Sequence, residues 1–171
     1  LTPLSPFPYI FTAVVIDGTT QGGYAGVPLI ELRGTSLEDG FTLLGGNSTV
    51  RGLVINGCNQ SGIHIAGIGN NVIEGNYIGT TASGDAVLPN GWSGVTILNS
   101  SGNTIGGTTP AARNVIAGNR NSGVRIEGTL SSNNVIQGNY IGLNKEGTAA
   151  VNVDSSNGIE LKNGPTQTLI G

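Results

Sequence analysis

Short apolar segments recur in a fixed order along this chain, and no other feature of the sequence restricts its fold as strongly. Two Asn-x-Ile segments follow one another, as in Asn71-Val72-Ile73 and Asn76-Tyr77-Ile78. A third segment begins with glycine and alternates apolar and variable residues, as in Gly94-Val95-Thr96-Ile97. The shortest unit spans residues 48–67, and longer units contain insertions at residues 80–91, 107–113 and 143–155.

The segments have a period of two residues, which is typical of β-strands and not of helices. Gly and Asn separate them, and these residues tolerate the left-handed backbone of tight corners. No Asn-Gly turn joins neighbouring segments at hairpin spacing. We therefore predict an all-β fold, a right-handed parallel β-helix (solenoid) with three short strands per coil and about six coils.

In this fold each recurring apolar residue stacks on its counterpart one coil away, and the Asn residues at the corners form amide ladders. Three interior ladders are predicted: Val50, Ile73, Ile105 and Ile136; Ile55, Ile78, Ile116 and Ile141; Ile65, Ile97, Ile126 and Leu161. We expect five isoleucines to be almost fully buried, namely Ile73, Ile105, Ile116, Ile136 and Ile141. We expect five side chains to point outward, namely Glu74, Tyr77, Thr96, Arg125 and Gln137.

The composition agrees with this fold and excludes several others. Glycine supplies 30 of the 171 residues and only 10% are charged, which opposes a helical bundle. A net charge of −3 argues against a nucleic-acid partner, and no apolar run is long enough for a membrane-spanning helix. The single Cys58 is interpreted as a small turn residue. Because the chain contains no methionine, we expect either a processed mature protein or a fragment.

The segments NVIEGNYIG, NTIGGTTPAARNVIAGN and NNVIQGNYIG resemble the right-handed parallel β-helix repeats of the pectin-lyase-like superfamily. More narrowly, they resemble repeats of large bacterial secreted and surface proteins. This resemblance implies an extracellular or cell-surface location. It implies no single activity, because lyases, hydrolases, epimerases, adhesins and structural rods share the architecture.

Enzymes of this architecture resemble one another in grouping outward carboxylates, often for Ca²⁺, beside a basic residue. Alternation places no two acids next to a base here and predicts only the structural ion pairs Arg51–Glu74 and Arg125–Glu160. The single His64 has Thr42 and Thr96 as its outward neighbours and is expected to be solvated. No cofactor is expected. A Ca²⁺ ion remains an alternative at three acids, Asp17, Glu38 and Asp39.

The insertion at residues 80–91 is the best candidate for ligand contact, because it contains Asp85 and precedes Trp92. Trp92, Tyr77 and Tyr140 are aromatic candidates for stacking on a cell-surface glycan. For Trp92 the favoured interpretation is a cover for the flank of the third sheet.

Residues 1–12 form a predicted extended apolar arm, and residues 13–171 form the β-helix domain. Proline has no N–H to donate to a strand ladder, so the proline-rich arm is expected at the edge of a sheet. Candidate assembly residues are Leu4, Phe7, Tyr9, Phe11, Leu169 and Ile170. Two explanations stay open: a piece of a longer rod, with neighbouring repeats of the same protein as partner, or a subunit that associates with itself.

The sequence thus favours a non-enzymatic extracellular structural or adhesive rod, with head-to-tail assembly into filaments as one form. The alternatives are a carbohydrate-active β-helix of the polysaccharide lyase, hydrolase or epimerase class, and a non-catalytic glycan-binding module.

Overall fold

The structure is a computed structural model that describes residues 1–151 and 157–171. Each strand in this part of the chain is short and pairs in parallel with its counterpart in an adjacent coil. The strands are β1 (Val15–Asp17), β2 (Ile30–Arg33), β3 (Phe41–Leu43), β4 (Thr49–Arg51), β5 (Leu53–Asn56), β6 (Ile63–Ala66), β7 (Val72–Glu74), β8 (Tyr77–Ile78), β9 (Val95–Leu98), β10 (Thr104–Gly106), β11 (Val115–Ile116), β12 (Ser122–Glu127), β13 (Val135–Gln137), β14 (Tyr140–Ile141), β15 (Asn157–Lys162) and β16 (Leu169–Ile170). Two 3₁₀ turns lie at Gly18–Thr20 and Pro110–Ala112. Among the described residues no helix has the length and apolar character needed to cross a membrane.

Every third strand belongs to the same sheet, so the chain winds as a right-handed parallel β-helix with three strands per coil. The first sheet has the order β1-β4-β7-β10-β13-β16, the second β14-β11-β8-β5-β2, and the third β15-β12-β9-β6-β3. Strands β1 to β15 make five complete coils, and β16 begins another. The predicted fold class is confirmed.

The core runs along the axis of the helix as three ladders of stacked apolar side chains. The first ladder pairs Val50 with Ile73, Ile73 with Ile105, and Ile105 with Ile136. The register of the other two predicted ladders is also confirmed. Each isoleucine in such a ladder contributes about 1.5–3 kcal/mol when fully buried.

Four of the five isoleucines expected in the core are at most 2% exposed. The fifth, Ile141, is only half-buried, because β14 is the last strand of the second sheet and no described strand covers its far side. A position in the repeat predicts the direction of a side chain, but its burial also depends on a neighbour on both sides.

The corner asparagines form the predicted amide ladders. In one ladder Asn71 Nδ2 donates to Asn103 Oδ1 (2.9 Å), and Asn103 Nδ2 donates to Asn134 Oδ1 (2.9 Å). A second ladder is formed in the same way by Asn76, Asn114 and Asn139. These contacts satisfy buried polar groups at the corners, where strand pairing is interrupted.

The five side chains expected to point outward do so, but they differ in exposure. Glu74 and Gln137 are half-buried. Tyr77, Thr96 and Arg125 are only 7–8% exposed. Outward side chains are covered here because insertions and ion pairs lie over the sheets.

The arm at residues 1–12 lies on the first coil of its own chain. Ile10 bridges in parallel to Leu43, and the carbonyl of Leu1 accepts the N–H of Arg33 (2.9 Å). The ring of Phe7 stacks on Phe41 with 5.7 Å between centroids. The other arm candidates, Leu4, Tyr9 and Phe11, are exposed. The arm therefore adds a few backbone contacts to β2 and β3 at the first coil of the helix.

Candidate functional site: a groove on the outer face of the third sheet

A groove with a volume of about 370 Å³ crosses the outer face of the third sheet. We call it the outer groove and define it by Asp39, His64, Trp92, Thr96, Arg125 and Glu127. Parallel pairing explains its floor, because Thr96 of β9 is the register partner of both His64 and Arg125. Outward residues at one position of successive coils therefore form a continuous row.

Asp39 and His64 form a pair at one end of the groove. The Nδ1–H of His64 donates to Asp39 Oδ2 (3.1 Å), and Asp39 Oδ1 accepts the backbone N–H of Ser61 (2.9 Å). The Nε2 atom of His64 is buried and has no hydrogen-bond partner among the described residues. Strand alternation gave His64 only Thr42 and Thr96 as outward neighbours and missed Asp39, which reaches it from the turn before β3.

Arg125 is held by two glutamates at the other end. Its Nη2 lies 2.6 Å from Glu127 Oε2, and its Nη1 lies 2.6 Å from Glu160 Oε2. The hydrogen bond from Arg125 holds the pKa of Glu127 below its ordinary value. The predicted Arg125–Glu160 pair is confirmed. The expectation of no two acids beside a base is wrong, because Glu127 points outward two residues after Arg125.

Trp92 lies at the edge of the outer groove. The guanidinium carbon of Arg125 lies 5.6 Å from the centroid of its ring, which is cation–π distance. The residue remains 41% exposed. Trp92 therefore lies over the flank of the third sheet, and part of its ring is open beside a polar floor.

The other candidates for ligand contact lie over the second sheet. The turn of the first insertion lies directly over Tyr77: a Cβ on Gly84 (φ +72°) would lie 2.9 Å from its Cε2 atom. In the same way, a Cβ on Gly147 would lie 2.6 Å from Cζ of Tyr140. The insertions therefore cover the tyrosine rings that we predicted as sugar-stacking residues.

Asp85 is also separated from the outer groove. Its carboxylate pairs with Lys145 Nζ (2.9 Å), and the backbone N–H of Lys145 donates to the carbonyl of Gly84 (3.1 Å). These contacts join the two insertions to each other. Of the four predicted ligand contacts, the structure brings only Trp92 to the groove.

A second charged row lies on the first sheet and was missed in part. Asp17, Arg51 and Glu74 are register partners, with Arg51 Nη2 2.7 Å from Asp17 and Nη1 3.6 Å from Glu74. The hydrogen bond from Arg51 holds the pKa of Asp17 well below its usual range. The Arg51–Glu74 pair is confirmed, and Asp17 adds a second acid beside this base. The repeat that contains Asp17 matches the other repeats only loosely, so the sequence pattern did not align Asp17 with Arg51.

The three acids considered for Ca²⁺ do not converge. Asp17 belongs to the first sheet and is paired with Arg51, whereas Asp39 borders the third sheet and is paired with His64. Glu38 is exposed. Within residues 1–151 and 157–171, no group of three or more His, Cys, Asp or Glu side chains is arranged to hold a metal ion.

Comparisons with models of protein families, with curated proteins and with solved structures found no match. The outer groove offers a partly open indole beside hydroxyl and carboxylate oxygens. These groups are suited to recognition by stacking and hydrogen bonding.

Proposed function

We propose that this chain is part of a non-enzymatic, extracellular structural and adhesive β-helix rod, and that its outer groove binds a carbohydrate. The observation that carries this proposal is the position of Trp92, which is 41% exposed at the edge of a polar groove. Small-molecule sites combine apolar or aromatic surface with a few polar groups that fix orientation. We also infer membership of the pectin-lyase-like superfamily, supported by the repeat sequence and by the three parallel sheets.

The ion pairs of the groove favour binding over cleavage. Glycoside hydrolysis requires a protonated acid and a second carboxylate on either side of the scissile bond. Here Arg125 lowers the pKa of Glu127, and Asp39 is bound to His64. Arg125 is itself held between two acids, so it is not free to act as a base.

The proposal is tested by screening the purified chain against a panel of polysaccharides and oligosaccharides. We expect Trp92→Ala to weaken binding of the best ligand by about tenfold, the scale of one lost stacking contact. Trp92→Phe should retain part of the affinity. Leu29→Ala removes an exposed apolar side chain next to β2 of the second sheet and serves as the control.

Two results would contradict the proposal. One is equal affinity of Trp92→Ala and the unchanged chain for every ligand that binds. The other is release of new reducing ends or unsaturated products from a polymer, with loss of that turnover in His64→Ala. The second result would instead favour the carbohydrate-active enzyme.

A second role, association with a further coil, is favoured by the exposed apolar residues at the end of the helix formed by β14, β15 and β16. Leu161, Leu169 and Ile170 are 47–54% exposed there. We propose that a second copy, docked head to tail, or further repeats of the same protein pair with these strand edges. Electron microscopy and light scattering of the purified chain should show filaments, and monomers at high concentration would refute docking of a second copy.

A further inference from the structure

We infer that the outer groove takes a carbohydrate with free amino groups, an oligomer of hexosamine, in preference to neutral or acidic sugars. This inference rests on the carbohydrate binding proposed above. It follows from the excess of partly exposed carboxylates in the groove and from the engagement of its arginine.

The one arginine of the groove is already engaged. Its Nε and Nη2 donate to Glu127 (3.0 and 2.6 Å), and its Nη1 donates to Glu160 (2.6 Å). Arg125 is also only 7% exposed. Recognition of a uronic acid requires a guanidinium whose donors face the ligand, so this groove is poorly suited to acidic sugars.

The carboxylates of the groove are acceptors. Asp39 and Glu127 have side chains that are 15% and 24% exposed. His64 contacts Asp39 through Nδ1 (3.1 Å) and its Nε2 is buried, so the exposed acceptors of the groove are carboxylate oxygens. An ammonium group has three donors and no acceptor, which complements this set.

The charge balance points in the same direction. Three acids, Asp39, Glu127 and Glu160, lie in or directly behind the groove, against one arginine and one histidine. The acids outnumber the basic groups, so the groove is net negative in either protonation state of His64. Attraction of a cationic ligand to such a cleft is screened by salt, so the affinity should fall as the salt concentration rises.

The test compares two ligands that differ only at nitrogen. Glucosamine tetramer and N-acetylglucosamine tetramer are titrated into the full chain by calorimetry, with galacturonate tetramer as the acidic comparison. We expect the free amine to bind at least about tenfold more tightly than the acetylated form, the scale of a charged hydrogen bond in a shielded site. Galacturonate should bind most weakly.

Two matched variants separate the groove from the net charge of the protein. Glu127→Gln and Glu146→Gln remove the same charge, and each glutamate pairs with a basic residue. Glu146, however, belongs to the insertion that begins at residue 143 and lies over the second sheet. Glu127→Gln should lose at least about fivefold in affinity for the free amine, and Glu146→Gln should be unchanged. Asp39→Asn is the second groove variant if Glu127→Gln does not fold.

Each contrary result has a distinct meaning. Equal or tighter binding of the acetylated or acidic tetramer overturns the amino-sugar inference and leaves carbohydrate binding intact. Equal losses in Glu127→Gln and Glu146→Gln show attraction by net charge alone and also overturn it. No binding of any carbohydrate overturns both this inference and the proposed function.

Discussion

Replacing Asn103 with alanine should destabilise the protein more than the size of its side chain suggests. Asn103 is fully buried in the middle of a corner ladder. Its Oδ1 accepts both the backbone N–H of Asn71 (3.0 Å) and Asn71 Nδ2 (2.9 Å), while its Nδ2 donates to Asn134 (2.9 Å). One side chain thus connects three coils.

The magnitude follows from the groups that lose a partner. In Asn103→Ala the N–H of Asn71 has no acceptor, and Asn71 Nδ2 keeps only a 3.4 Å contact with the carbonyl of Ile68. Asn134 Oδ1 still accepts the backbone N–H of residue 103 (2.9 Å). Ser100 Oγ also loses the donor Asn103 Nδ2 (3.1 Å). Three groups therefore lose their main partner, and each costs about 1–3 kcal/mol when buried. We expect the free energy of unfolding to fall by at least about 3 kcal/mol.

Equilibrium urea denaturation, followed by circular dichroism, measures this loss. The control is Asn59→Ala, because Asn59 is exposed and such surface substitutions change stability by less than about 0.5 kcal/mol. A difference between the two variants below about 1 kcal/mol would refute the ladder as a source of stability.

Two further predictions concern an insertion and an ion pair. Gly84→Ala should lower the unfolding temperature by several degrees, because the added Cβ meets the ring of Tyr77 and φ at this position is positive. Gly22→Ala is the control and should leave the unfolding temperature unchanged, because no atom lies within 4 Å of its added Cβ. Equal unfolding temperatures of the two variants would contradict this prediction. The pKa of Asp17 is lowered by Arg51, so this pair stabilises the folded state above about pH 4 and its contribution is lost as the pH falls through the lower folded pKa. Asp17→Asn should therefore destabilise at pH 7, and its difference from the unchanged chain should shrink between about pH 5 and pH 2; a constant difference would contradict the pairing.

Most of the fold could be predicted from the sequence because one physical constraint repeats. Each strand alternates inward and outward residues with a period of two, and every coil must place an apolar side chain at the same position facing the axis. Ile73, Ile105 and Ile136 occupy the same position in three successive repeats, so each repeat supports the prediction made from the others. Ile141 shows the limit, because its burial depends on what lies beyond β14 and not on its own segment.

The site could be predicted only in part, because its contacts come from outside the strands. Alternation identified Arg125 and Glu160 as neighbours, since both lie on paired strands. Asp39 lies in a turn, and the position of a turn over a sheet face has no period that the sequence reveals. The insertions were recognised, but their backbone covers the two tyrosines that looked available from spacing alone.

Two reporter residues allow the most direct test of the outer groove as the binding surface. The chain contains one tryptophan and one histidine, and both belong to this groove. In an NMR titration with glucosamine tetramer, we expect the indole N–H of Trp92 and the imidazole of His64 to shift together and to saturate at one affinity. Saturable binding that shifts other signals and leaves both of these unchanged would contradict the account.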